Sequence, residues 1–147
     1  MRIKTKYFGE VEITEDMIIE FPHGVLGFTE SRRFTIMEVP QAESFKVLQD
    51  VDNDYVSFMI VTPWQFFPMY EAVIDDGELS AVNIDPENPG ELEIYLVVTL
   101  GKSLSESTAN LVAPILINPS DRLGKQFVLN HAEYGTRHDL VAKRPGD

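Results

Sequence analysis

The sequence predicts an all-β, mainly antiparallel fold: a small closed or nearly closed β-barrel with one or two short helical turns. Three observations carry that expectation. Apolar residues recur with a period of two rather than 3.6 along most of the chain. Turn-forming residues separate the apolar runs at near-regular, short intervals. Helix start and stop signals are few. A two-sheet sandwich is the alternative, because strand count does not reveal closure.

Arg2–Tyr7 alternates Ile3, Thr5 and Tyr7 against Arg2, Lys4 and Lys6. Phe8-Gly9 reads as a turn, and Glu10–Ile13 resumes the alternation. Ile18–Phe21, Arg33–Val39, Phe45–Asp50 and Tyr55–Val61 follow as strands, the last two joined by a tight polar turn at 51–54. Leu79–Ile84 and Leu92–Leu100 also read as strands. Between them, Asp85-Pro86-Glu87-Asn88-Pro89-Gly90 demands a loop. Pro114 splits Leu111–Ala113 from Ile115–Asn118, as a proline at a bend or bulge does. Asn110 and Asn118 are expected to satisfy backbone groups around that bend. Gly124–Asn130 reads as the last strand. Pro63 opens a short helical turn at the first helical position, and Pro68 interrupts any continuation. Residues 68–74 are expected as one more helical turn or an edge strand, and Ser103–Thr108 as another short helix. Gly24 and Gly27 are expected at positive φ, with Val25, Leu26 and Phe28 plugging one end of the barrel. One domain over residues 1–138 is expected, followed by a polar, mobile tail at 139–147, with frayed or docked chain from Tyr134.

Composition narrows the function. The 147 residues carry a net charge of −12 and no cysteine. Thiolate metal sites and cysteine nucleophiles are excluded, and the absence of disulfides favours a reducing cytoplasm. The N-terminus has no apolar run behind its basic residues, so it is not a signal peptide. Runs such as Val56–Val61 are too short to span a bilayer. Charge is uneven: residues 47–101 hold eleven Asp and Glu and no Lys or Arg. Such a surface repels phosphate backbones and anionic lipid and attracts a basic protein, although acidity also serves solubility alone. No nucleic-acid partner, membrane partner or cofactor is expected.

Catalytic patterns are missing. His23, His131 and His138 lack zinc-site spacing. The run Asp50-Val51-Asp52-Asn53-Asp54 starts like an EF-hand loop. It has Tyr55 at the sixth position and Val61 at the twelfth, where glycine and glutamate belong. It reads better as a turn whose Asp and Asn side chains bond local backbone. Neither a Gly-x-Ser-x-Gly elbow nor a phosphate loop is present. The unusual stretch is Trp64–Glu78, in which four aromatic residues and Met69 stand beside four acids. Aromatics and methionine are enriched in interface cores with charge at the rim, though large apolar residues equally build cores. Candidate partner-binding residues are therefore Phe66, Met69 and Tyr70 as anchors, with Glu71, Asp75, Asp76 and Glu78 as acids. Asp52 and Asp54 form a second candidate group.

Three motifs add a family. Phe21-Pro22-His23-Gly24-Val25-Leu26-Gly27-Phe28 is the first. Phe45–Asp50 with Asp54 and Phe58 is the second. Thr108-Ala109-Asn110-Leu111-Val112-Ala113-Pro114-Ile115-Leu116-Ile117-Asn118, followed by Gly124-Lys125-Gln126, is the third and most specific. Together the chain resembles the FliW family of flagellar assembly factors. The resemblance implies a small cytoplasmic β-barrel-like protein without enzymatic activity. It implies binding of the translational repressor CsrA, which relieves repression of flagellin synthesis, and binding of flagellin itself. The matched motifs are mostly Gly, Pro, Asn and apolar residues, so they imply architecture rather than contact residues. A flavin- or small-ligand-binding split barrel is the alternative. It requires that the basic residues near the two chain ends converge on a phosphate.

Overall fold

The computed structural model describes residues 1–130 and 133–141. It begins with a hairpin of β1 (Arg2–Thr5) and β2 (Gly9–Glu12). Gly9 turns it at φ 66°, and the Thr5 hydroxyl donates to the Gly9 carbonyl at 2.7 Å. A 3₁₀ turn at Glu15–Met17 leads into β3 (Ile19–Glu20). Three antiparallel strands follow: β4 (Arg33–Glu38), β5 (Phe45–Asp50) and β6 (Ser57–Val61). A 3₁₀ turn at Pro63–Gln65, with Pro63 at its start, precedes the one α-helix among the described residues, α1 (Asp76–Ala81). The chain then forms β7 (Glu93–Thr99), a 3₁₀ turn at Leu104–Glu106, β8 (Thr108–Ala109), β9 (Ile115–Asn118), β10 (Leu123–Gln126) and β11 (His138–Asp139).

Seven strands close into a barrel in the order β7-β6-β5-β4-β3-β10-β9, and the β7–β9 pairing completes the ring. Closure removes the open sheet edges that a sandwich would leave. Only β3 and β10 run parallel. Strand alternation sorts the apolar residues into two layers. Phe34, Leu48, Ile60, Tyr95, Ile115 and Ile117 point inward with Phe21 and Val25. Val61, Leu96, Val98 and Leu116 point outward, and segments outside the barrel cover them. Gly124 lies against Phe21 so closely that a Cβ there would stand 2.4 Å from the ring.

Five expectations need correction. Residues 79–84 are not a strand: Leu79–Ala81 complete α1, and the chain then turns. Asp76 and Glu78 in its first turn complement the helix dipole. Asn83 ends it at φ 60°, with Asn83 N–H donating to the Ser80 carbonyl and Ile84 N–H to the Leu79 carbonyl. That is a Schellman end with asparagine in the left-handed position. Residues 66–75 form neither a helix nor a strand, but a strap laid across the outer face of β6 and β7. Residues 111–113 bend rather than pair, because the Asn110 side chain accepts the N–H groups of Val112 and Ala113, each at 3.1 Å. Asn118 does a different job from the one expected. Its amide donates to the Val82 carbonyl at 2.8 Å and ties α1 to β9. Finally, of the expected end plug only Val25 is buried. Leu26 and Phe28 are exposed, Phe28 resting edge-on against Phe58. Gly24 and Gly27 do take positive φ, 70° and 84°.

β10 is not the last strand. His138–Asp139 pairs with β8, and Leu140 is buried. Packed chain thus runs two residues beyond 138, the edge expected for the domain. Of the expected tail, residues 142–147 lie outside the described residues, as does His131.

Candidate functional site

The strap begins at Trp64, whose indole N–H donates to the Tyr70 carbonyl at 3.0 Å and closes a tight loop. Within that loop the aromatic residues divide. Phe66 and Phe67 are half-buried against the outer layer, Phe66 beside Phe45 with ring centroids 5.7 Å apart. Tyr70 is buried, and its hydroxyl donates to the Leu111 carbonyl at 2.8 Å. Tyr134 packs against it at 4.9 Å. Burial, reinforced by Tyr134, holds the Tyr70 hydroxyl well above its ordinary pKa, so it stays a donor. Met69 stands out at the loop tip, 87% exposed. Phe66, Phe67, Met69, Tyr70, Leu111 and Tyr134 line a groove of about 430 Å³. Of the three expected anchors, then, Met69 is the free one, Phe66 offers an edge, and Tyr70 is a structural support.

The acids divide in the same way. Glu71, Asp75 and Asp76 are exposed. The Glu71 N–H is taken by the Tyr134 hydroxyl at 2.9 Å, which leaves its side chain pointing from a fixed backbone. Glu78 is half-buried and paired with Lys125 of β10 at 3.0 Å, so its charge is already answered within the molecule. Val73, 62% exposed, lies between the groups. The strap and the chain after it therefore expose an apolar ledge (Met69 and Val73) with Glu71, Asp75 and Asp76 interspersed along the sequence.

Asp52 and Asp54 do not join it. Phe45 pairs with Val61 and Gln49 with Ser57, so the turn after Asp50 and the strap after Val61 sit at opposite ends of β6. Five residues at about 3.4 Å each separate them by about 17 Å. Asp52 is paired with Arg33 at 3.0 Å. The Asp50 carboxylate, buried, accepts the N–H groups of Asp52 and Asn53 at 2.7 and 3.0 Å, and Asn53 does the same for Tyr55. These oxygens build the turn, as the sequence suggested. Buried Gln49 completes it, donating to the Asp50 carbonyl at 3.0 Å while accepting the Lys6 N–H at 3.1 Å. This single side chain fastens the N-terminal hairpin to the barrel.

Arg2, Arg33, Lys46 and Lys125 each pair with a carboxylate. Among the described residues no group of three or more His, Asp or Glu side chains is arranged to hold a metal, and no helix is long and apolar enough to cross a membrane. His23 is exposed in its turn, and His138 accepts the Gly135 N–H at 2.8 Å.

Residues missed at the sequence level include Tyr134, Leu111 and 127–130, which share this face with the strap. Tyr134 stood in what reads as tail. The others look like ordinary strand, and nothing in their residue types signals a surface.

The fold and this surface define a closed, mostly antiparallel β-barrel whose external strap exposes apolar and acidic side chains. The FliW protein family model matches residues 2–140. The flagellar assembly factor FliW of Geobacillus kaustophilus is 36% identical over 144 residues, covering 98% of both chains. That of Bacillus subtilis is 36% identical over 140 residues, 95% of this chain and 96% of the relative. A crystal structure of the flagellar assembly factor FliW superposes with a TM-score of 0.90 at 35% identity, covering 98% of this chain and 99% of the other. The chain belongs to the FliW family.

Proposed function

We propose that this protein is a cytoplasmic flagellar assembly factor that works by binding proteins, not by catalysis. It sequesters the translational repressor CsrA, relieving repression of flagellin synthesis, and it binds flagellin as a chaperone-like partner. Membership of the FliW family supports this reading. The observation that supports the mode of action is the exposed Met69 ledge flanked by Glu71, Asp75 and Asp76, inside a stretch without Lys or Arg. A basic RNA-binding protein is drawn to such a surface electrostatically, and the ledge supplies the apolar area that holds it. The same charge keeps RNA itself away.

The test is capture from the cytoplasm of a flagellated bacterium. Tagged wild-type chain is expected to retain CsrA and flagellin. Met69→Ala combined with Glu71→Lys is expected to lose at least one of them, while the circular dichroism spectrum is unchanged. Retention of both partners at wild-type level would refute the assignment of this surface.

A further inference from the structure

The chain after β10 leaves one backbone edge bare. Phe127 and Leu129 donate their N–H groups to the Pro114 and Val112 carbonyls at 3.3 and 2.7 Å. In extended chain, successive residues direct their backbone groups to opposite edges. The N–H and C=O of Val128 therefore face away from that pairing. Among the described residues neither has a partner, and Val128 is 58% exposed. Across from it, the N–H groups of Ala72, Val73 and Ile74 in the strap are also unpartnered. Between the two runs lies a cleft of about 340 Å³, walled by Val73, Asp75 and Glu78 on one side and by 127–130 on the other. All four residues of 127–130 line it. A strand presenting a face would contribute every second residue, whereas a strand presenting its edge contributes each in turn.

We propose that this cleft receives an extended, basic segment of a partner protein, which adds as a strand to the 127–130 edge and sets Lys or Arg side chains against Asp75 and Asp76. Unpaired N–H and C=O groups in register are matched by another backbone, and strand addition satisfies both at once. Asp75 and Asp76 are exposed and lack a cationic partner among the described residues, while Glu78 is held by Lys125. Charge complementarity thus selects a basic segment. A second copy of this chain would bring the same acids and another net −12 to the same edge. The inference rests on the reading of the chain as a protein-binding factor and names the contact mode.

The probe is a blocked seven-residue peptide of alternating Lys and Val, titrated into the full isotope-labelled chain by NMR. A Glu-for-Lys counterpart serves as control, with two further versions N-methylated on the alternate amides of one edge or the other. The Val128 amide is expected to shift and to gain at least tenfold protection from exchange. One N-methylated series should lose at least tenfold in affinity while the other binds within twofold of the parent, and the Glu peptide should not bind. Val128→Pro removes the unpartnered N–H, besides fixing φ at 128, and should lose tenfold. The N-methylated peptides report the same contact without altering the protein. Strand addition is overturned if the Lys-Val peptide does not bind, if both N-methylated series bind equally, if Val128 does not respond, or if the edge instead supports a dimer of this chain. Should the peptide fail while CsrA or flagellin is still captured, strand addition falls and the protein-binding reading stands. Should the wild-type chain capture neither CsrA nor flagellin, that reading falls instead.

Discussion

Tyr70 shows how one side chain can serve two layers. Its ring covers the outer face of β6 and β7, and its hydroxyl holds the Leu111 carbonyl where the chain bends before Pro114. Tyr70→Phe leaves that buried carbonyl unpartnered and is expected to cost roughly 1–2 kcal/mol in urea unfolding. Because burial holds the folded hydroxyl above its ordinary value of 10.0, the neutral form is the one folding favours. The associated stability is full below about pH 10 and is lost as pH rises beyond it, so alkaline unfolding of wild type should be steeper than that of Tyr70→Phe. Gly124→Ala drives a Cβ to 2.4 Å from the Phe21 ring and should cost about 1–3 kcal/mol by thermal melting. At this scale the sequence was informative about type and silent about direction. It marked the aromatics and acids of Trp64–Glu78 as unusual. It could not tell that Tyr70 turns inward, that Met69 turns out, or that Glu78 meets Lys125 from 47 positions away.

Among the elements, the strands were the legible part. Alternation in β4, β5 and β7 survives because each puts one face into the barrel and the other under a cover or into solvent. The helix α1 was hidden. Six residues hold too few turns to show a 3.6-residue period, and Leu79, Val82 and Ile84 also fit a half-buried strand. Its identity lies in its ends, above all in Asn83. Asn83→Gly relieves the positive φ and should be neutral or slightly stabilising. Asn83→Ala should lose about 1 kcal/mol, measured by chemical denaturation of both variants. Asn118→Ala removes the amide that holds the end of α1 and the oxygen that accepts the Ser120 N–H. It should cost more, on the order of 2–3 kcal/mol, because buried groups lose partners at both ends.

On the scale of the molecule, closure and charge act together. The seven-strand ring leaves few free edges, so what remains open carries weight: the strap with its acids, and the short 127–130 edge beside it. The uneven charge along the chain was readable from residue order alone. Its distribution in space depended on topology, which carries the Asp52 turn to the far end of β6, away from the stretch that bears Met69, Glu71, Asp75 and Asp76. The account stands on that stretch being where a basic partner docks. The direct test is calorimetric affinity for purified CsrA and for flagellin across a series of salt concentrations, with wild type beside the Glu71→Lys, Asp75→Lys, Asp76→Lys triple variant. Wild-type affinity for CsrA should fall as salt rises, and the variant should bind at least tenfold more weakly at low salt with a flatter salt dependence. Equal affinities for both proteins at every ionic strength would contradict it.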